Sequence, residues 1–344
     1  MKKCNFWIFI FALIVLNGCV TEPTGMVTMQ IPKEINKNPQ VYFCPQEDCG
    51  KIFENQIRSA NSSVHCAVYD INLENVIDSM AKKSKTADVK IVMDSSNYKK
   101  QIRGDGIKLD DDKQLMHNKF CVIDENVVIT GSFNPTKNDN IYNNNNVIVI
   151  YSVTLAKNYE DEFGELWNGN FGKGSSVKNP QLLINDIKIE NYFCPEDCKF
   201  QSSPSTSTNS GLLKIINLIG KSEKSIEVAS FTFTNEHTAD ALIKAQSRGI
   251  NVTILVEKKQ RNVINSQYER LKNFGMKIKV DTNAHNMHHK FIVVDGKIVI
   301  TGSPNFTSSG FKKNDENMLI IYDEGMALKY INEFNRIYEE GEMV

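Results

Sequence analysis

Two histidine–lysine pairs carry the reactive chemistry this sequence can offer. Residues 116–136 read MHNKFCVIDENVVITGSFNPT, and residues 287–307 read MHHKFIVVDGKIVITGSPNFT. The segments align without a gap. His117 falls on His288, Lys119 on Lys290, Asp124 on Asp295, Ser132 on Ser303, Asn134 on Asn305 and Thr136 on Thr307. An imidazole can attack, or give and take a proton, near neutral pH. A lysine two residues on can hold an anion. Residues two apart on a strand share a face, so His117 and Lys119 point one way, as do His288 and Lys290. Asn118 and His289 then point the other way, which makes His289 a bystander. A lone His-x-Lys with a later Asp is compatible with a surface histidine beside a solvated lysine. Two copies, each followed by Thr-Gly-Ser-x-Asn, argue against that reading. Asp124 and Asp295 close their strands and start a turn, where aspartate often serves turn chemistry alone.

The elements that position these groups also recur. Ile52, Phe53, Ile57 and Ala60 keep helical spacing, as do Leu212, Ile215, Ile216 and Ile219. Strands are expected at Val64–Ile71 and Ile226–Phe233, helices at Leu73–Ala81 and Thr238–Gln246, and buried strands at Val89–Met93 and Val252–Val256. Each half ends in a helix. Ala156, Tyr159, Phe163, Leu166 and Trp167 match Ala327, Tyr330, Phe334, Ile337 and Tyr338, and these aromatics read as core. Alternating strands and helices imply an α/β domain, here repeated. The halves differ before the second motif, where Lys258, Lys259, Arg261, Arg270, Lys272, Lys277 and Lys279 gather. Such a run is usually a solvated face, although beside a phosphate site it can also hold an anionic substrate.

With 344 residues the chain has room for two domains with a core each. Its 41% hydrophobic and 24% charged content is that of a globular protein, and its net charge of −1 excludes recruitment of nucleic acid or anionic membrane by a global field. Lys2 and Lys3 precede an apolar run, Phe6 to Leu16, too short to span a bilayer comfortably and ending at Asn17-Gly18-Cys19. That pattern resembles a lipoprotein signal (1–18), cut before a lipid-bearing Cys19, with an uncleaved anchor or plain secretory signal as the alternatives. Either way an extracytoplasmic protein is expected, and the lipoprotein reading makes it a membrane-anchored one of the cell envelope. Residues 19–40, with Pro23, Pro32 and Pro39, read as a tether. Tyr-Phe-Cys-Pro opens each half, at residues 42–45 and 192–195. In an exported protein the spacings favour local disulfides Cys44–Cys49 and Cys194–Cys198 over one shared four-thiolate zinc site. Cys66 and Cys121 sit in apolar runs and are expected as buried thiols.

The doubled His-x-Lys-x4-Asp motif with its Gly-Ser-x-Asn sequel resembles the phospholipase D superfamily, over nearly all of Cys44 to Tyr338. The resemblance implies two α/β/α sandwich halves, 41–170 and 191–344, joined by a linker at 171–190. They would be related by a pseudo-two-fold axis, with the active site at their interface. It also implies phosphodiester cleavage without metal or other cofactor, the assignment of His117, Lys119, Asp124, His288, Lys290 and Asp295 to catalysis, and a monomer holding both motifs in one chain. Lys119, Lys290, Asn134 and Asn305 would bind the phosphate oxygens, with hydrogen bonds from Ser132 and Ser303. One neutral histidine would attack phosphorus; the other would protonate the leaving alcohol and then activate water. Family analogy makes His117 the nucleophile and His288 the acid, and the near symmetry of the motifs leaves the reverse assignment as the alternative. One departure stands out. The family's later Asn-x-Glu-Asn stretch is present as 314–317, with Glu316, whereas the first half reads Asn143-Asn144-Asn145-Asn146 and puts Asn145 where Glu is expected. An amide can orient an imidazole but cannot stabilise its cation as a carboxylate does. A phospholipid substrate leads. The alternatives are a nuclease like the superfamily's small bacterial endonucleases, a phosphatidyltransferase, and a non-catalytic phosphate-binding module.

Overall fold

The computed structural model describes residues 30–98, 102, 104–111, 113–199 and 210–344. The expected signal segment, Cys19 and the tether up to residue 29 lie outside them.

Each half builds a mixed sheet, and seven strands run in the same order in both, the second sheet carrying two more at one edge. The first sheet runs Gln40–Cys44, Asn145–Tyr151, Val127–Gly131, Lys119–Ile123, Ser63–Val68, Asp88–Met93, Ile107–Leu109. The second runs Ile187–Cys194, Glu316–Tyr322, Ile298–Gly302, Lys290–Val294, Ser225–Ser230, Asn251–Val256, Lys277–Val280. The motif strands are central and buried on both faces, which is why they read as unbroken apolar runs.

Alternation along those strands divides the core. Phe120 and Val122 join a central cluster with Phe291 and Val293, while Cys121 and Ile123 face an outer one. The central cluster takes Tyr159, Phe163 and Leu166 from helix Val153–Trp167 and Tyr330, Phe334 and Ile337 from helix Glu324–Glu340. Helices Cys49–Ser59 and Glu74–Lys83 cover the outer face of the first sheet, and Gly211–Gly220 and Glu236–Ser247 that of the second. The aromatic pattern that ends each half is therefore the packing between halves.

Three expectations need correction. Cys66 and Cys121 are a disulfide, because the antiparallel register sets them directly opposite with Cα atoms 4.0 Å apart. Cys44–Cys49 and Cys194–Cys198 are also bonded, which removes the shared zinc site. The stretch expected as linker contains a hairpin, Gln181–Ile184 with Ile187–Cys194, turning at Asn185-Asp186 with φ of 47° and 68°. Asn and Asp tolerate that left-handed turn, and Leu182, Ile184 and Ile189 are buried by it. The tether end is likewise recruited, as Lys33–Glu34 pairs in parallel with this hairpin's outer strand.

Candidate active site

Each motif strand starts at the boundary between halves. The His117 amide donates to the Asp315 carbonyl (2.9 Å), and the His288 amide to the Asn144 carbonyl (2.9 Å). The next residue along each of those opposing segments holds the ring. His117 Nδ1 lies 2.8 Å from Glu316 Oε2, and His288 Nδ1 lies 2.9 Å from Asn145 Oδ1. The carboxylate of the second half thus serves the histidine of the first, and the amide of the first half serves the histidine of the second. Both ring partners are acceptors, so each Nδ1 carries the hydrogen and Nε2 is left as the reactive nitrogen.

The lysines lie on the same face as their histidines, as strand alternation predicts. Lys119 Nζ donates to the His117 carbonyl (2.9 Å) and Lys290 Nζ to the His288 carbonyl (2.8 Å). Both ammonium groups are buried at 1% exposure. Aromatic rings that follow the neighbouring strands wall the two pairs. Tyr69 lies 4.8 Å from the His117 ring and 5.1 Å from Lys119 Nζ, and Phe231 lies 4.8 Å from His288 and 5.2 Å from Lys290 Nζ. Nothing in the motif spacing marks these two rings. Asn118 and His289 point to the opposite face, toward Glu162 (3.3 Å) and Glu333 (3.1 Å) of the two terminal helices.

The serines do not line the cleft as expected. Gly131 and Gly302 have φ of 137° and 148°, and a Cβ there would stand 2.3 Å and 2.2 Å from the carbonyls of Asn146 and Asn317. Glycine lets the chain pass that close and drop the next residue behind the histidines. Ser132 Oγ donates to Asn145 Oδ1 (3.0 Å) and Ser303 Oγ to Glu316 Oε2 (2.6 Å), and both serines are fully buried. They fix the residues that fix the imidazoles. Glu316 is likewise engaged, with His117 and Ser303 and not with the cleft. Asn134 and Asn305 keep buried amide oxygens without a protein partner. The Asn134 Nδ2 donates to Asp139 (2.9 Å), a residue to which the motif gave no role.

Asp124 and Asp295 are not brought into the site. They close the far ends of the motif strands, where Asp124 accepts from the amides of Ser62 (2.7 Å), Asn61 (2.8 Å) and Ser63 (3.0 Å). Asp295 does the same for Lys224 (2.7 Å), Glu223 (3.0 Å) and Ser225 (3.1 Å). The turn role wins because three orphan amides at the start of the neighbouring strand in the sheet need a shared acceptor. Those amides overcome partial burial and hold the Asp124 carboxyl down to about 2. Its contribution is therefore present above the ordinary aspartate range and lost as pH falls through about 2. Asp124→Ala is expected to cost roughly 2–3 kcal/mol of stability, with kcat of the folded fraction within about threefold of wild type. Urea melts and assays of the same samples check both.

Charge in the site follows from burial. Desolvation pushes His117 down to about 4, against the pull of Glu316. His288 lies well below its ordinary range through burial and the charges of Lys290, Lys119 and His117, so the two pairs sense one another. Burial opposes ionisation of Glu316, but His117 and Lys119 outweigh it and hold the carboxyl below its usual value. Lys119 is brought down to about 8 and Lys290 well below its usual range, burial first in both. Lys119 loses its positive charge as pH rises past about 8. Anion binding should weaken there, so kcat/KM is expected to fall about tenfold per unit above that pH. Lys119→Arg, which cannot deprotonate, should make that fall shallower, with Lys290 left to titrate.

The sequence that carries both reactive pairs matches a known family. The model described as "Cardiolipin synthase, PLD-like domain" matches residues 53–167 and again 215–338. A phospholipase D of Rickettsia conorii is 32% identical over 162 residues, covering 46% of this chain and 81% of that protein. A mitochondrial cardiolipin hydrolase of Xenopus tropicalis is 34% identical over 139 residues, covering 40% of this chain and 66% of that protein. The solved phosphatidylserine synthase of Haemophilus influenzae superposes with a TM-score of 0.65 at 14% identity, covering 89% of this chain and 87% of that one, a likeness of fold. With both repeats matched over more than half its length, the chain belongs to the phospholipase D-like family.

Proposed function

We propose that this chain hydrolyses phospholipid phosphodiesters through a covalent phosphohistidine, with His117 as nucleophile and His288 as general acid and then base. The observation that carries the proposal is the crossed pairing, His117 to Glu316 and His288 to Asn145, which makes one site from two repeats. Lys119 and Lys290 hold the non-bridging oxygens. A phosphodiester anion held by the two lysines offsets the burial and lysine charges that otherwise keep His288 neutral, so that His288 passes a proton to the leaving alcohol as His117 Nε2 attacks phosphorus. His288 then takes a proton from water, which cleaves the N–P bond and frees His117. The nucleophile carries positive charge on its ring for the lifetime of the intermediate, and a carboxylate behind Nδ1 stabilises that charge. Glu316 stands behind His117, which supports the assignment.

Two observations favour lipid over nucleic acid. The family model and relatives are described by cardiolipin and phospholipase chemistry. The basic run before the second motif is largely tied down: Lys258 pairs with Glu342 (2.8 Å), Arg270 with Asp240, and Lys277 and Lys279 bond Asn251 (2.7 Å) and the Tyr338 carbonyl (2.9 Å). The two carboxylate pairs offset part of the run's charge, which counts against its serving as a cationic track for a strand. Placement outside the cytoplasm, with a lipid on Cys19, is supported by the signal-like sequence and by three disulfides. Among the described residues no helix is long and apolar enough to cross a membrane. Both motifs in one chain support action as a monomer.

The test is an assay of the purified protein on mixed phospholipid vesicles and on plasmid DNA, each with and without chelator. Headgroup release insensitive to chelator is expected. DNA nicking without lipid turnover would establish the nuclease alternative, and headgroup exchange with added alcohol the transferase. Loss of activity with chelator would contradict a reaction run by side chains alone.

A further inference from the structure

The two halves differ at one decisive point, and the structure repairs the difference in an unexpected place. Position 145 has an amide where position 316 has a carboxylate, so His288 lacks the direct partner His117 enjoys. A carboxylate nevertheless stands beside His288. Asp139, on the short helix Lys137–Ile141, places Oδ2 3.7 Å from His288 Nδ1.

Asp139 is built into this position. It is buried at 4% exposure, and accepts from the Asn134 amide (2.8 Å), from Asn134 Nδ2 (2.9 Å) and from Asn143 Nδ2 (2.6 Å). Asn314, the counterpart of Asn143, donates to Glu316 (3.2 Å) in the other half. The same supporting amide thus serves a carboxylate in both halves, although the carboxylates come from different elements. The counterpart of Asp139 is Gly310, where a Cβ would stand 2.5 Å from the Asn305 carbonyl. One half has Glu on the strand and Gly on the helix. The other has Asn on the strand and Asp on the helix.

We propose that Asp139 is a positioning residue that supplies His288 with the negative charge missing from Asn145. The division of labour is physical. Asn145 Oδ1, in direct hydrogen-bond contact, fixes the ring and its tautomer. Asp139 lies beyond hydrogen-bond length and acts through its charge: burial pushes its carboxyl up, the Asn134 and Asn143 donors and Lys290 favour its ionised form, and that form favours the imidazolium that must protonate the leaving group. The groups that oppose it around His288 are Lys290, Lys119, His117 and His289. Asp139 also attracts Lys119 and Lys290, so it balances a cluster otherwise rich in positive charge.

This inference rests on the phosphodiesterase reading for its kinetic part only. The experiment follows the His288 ring by NMR through a pH titration of the folded protein in saturating sodium sulfate, whose anion stands in for the substrate's charge. In Asp139→Asn the His288 pKa should fall by about one unit or more. On lipid substrate kcat should fall about 10–100-fold with KM within about twofold. The double variant Asp139→Gly with Asn145→Glu copies the other half. It should return the pKa to within about half a unit of wild type and recover most of the lost kcat. It also tests the idea independently if Asp139→Asn does not fold. An unmoved His288 pKa in folded Asp139→Asn, or a folded double variant that recovers nothing, overturns the inference. A wild-type protein inactive on every phosphodiester would overturn the functional reading and leave the titration to decide the role of Asp139.

Discussion

His117→Asn and His288→Asn should each lower kcat on phospholipid by about 10⁴-fold or more, because each removes a group that no neighbour can replace. The two variants should fail differently. With an activated aryl leaving group the first step needs little protonation, so His288→Asn should still transfer the phosphoryl group to His117. Without its base, water attack then stalls and a phosphohistidine accumulates. His117→Asn should form no adduct on any substrate. Intact-mass measurement after rapid quench reads the difference. An adduct in His117→Asn and none in His288→Asn would reverse the assignment. The folds should survive, since both rings are held by side chains and bury little apolar surface of their own.

Glu316→Gln carries the second largest effect, a loss of about 10²–10⁴ in kcat with little change in KM. The shape is nearly unchanged, but the charge that keeps His117 in its productive state is gone. A glutamine can also present its amide hydrogens to Nδ1, which favours the tautomer with hydrogen on Nε2 and removes the attacking lone pair. Ser303 Oγ, 2.6 Å from Glu316, would then hold the wrong group in place. Comparing kcat and KM with those of Asn145→Ala separates charge from orientation. Asn145 supplies orientation, so its loss should be the smaller of the two. A Glu316→Gln enzyme that keeps full kcat would contradict the role given to this carboxylate.

The repeat, the order of elements and the reactive histidines and lysines were legible because each rests on local pattern. His-x-Lys on a strand fixes a shared face, and the Ala-x-x-Tyr-x-x-x-Phe spacing fixes a helical stripe. What escaped depends on contacts distant in sequence. His117 and Glu316 are 199 residues apart, and no local rule says that a carboxylate in one repeat serves the other. The Cys66–Cys121 bond depends on strand register, which composition does not reveal. The serines looked like phosphate donors because the motif shows small polar residues at a loop, while the glycine's backbone conformation turns them behind the histidines. Asp124 and Asp295 carry residue types suited to catalysis at positions suited to turns, and only the three amides they accept decide between the two. The hairpin in the expected linker was legible in principle, from Leu182, Ile184, Ile187 and Ile189 around Asn185-Asp186.

The central claim is that imidazoles from both repeats converge on a single phosphorus. A crystal structure with orthovanadate, which adopts the five-coordinate geometry of the transition state, tests it most directly. The expected result is one vanadium per chain bonded to His117 Nε2, its opposite axial oxygen within about 2.6–3.2 Å of His288 Nε2 and its equatorial oxygens on Lys119 and Lys290. Two vanadates, one at each motif, or a single one that leaves either histidine out of reach, would contradict it.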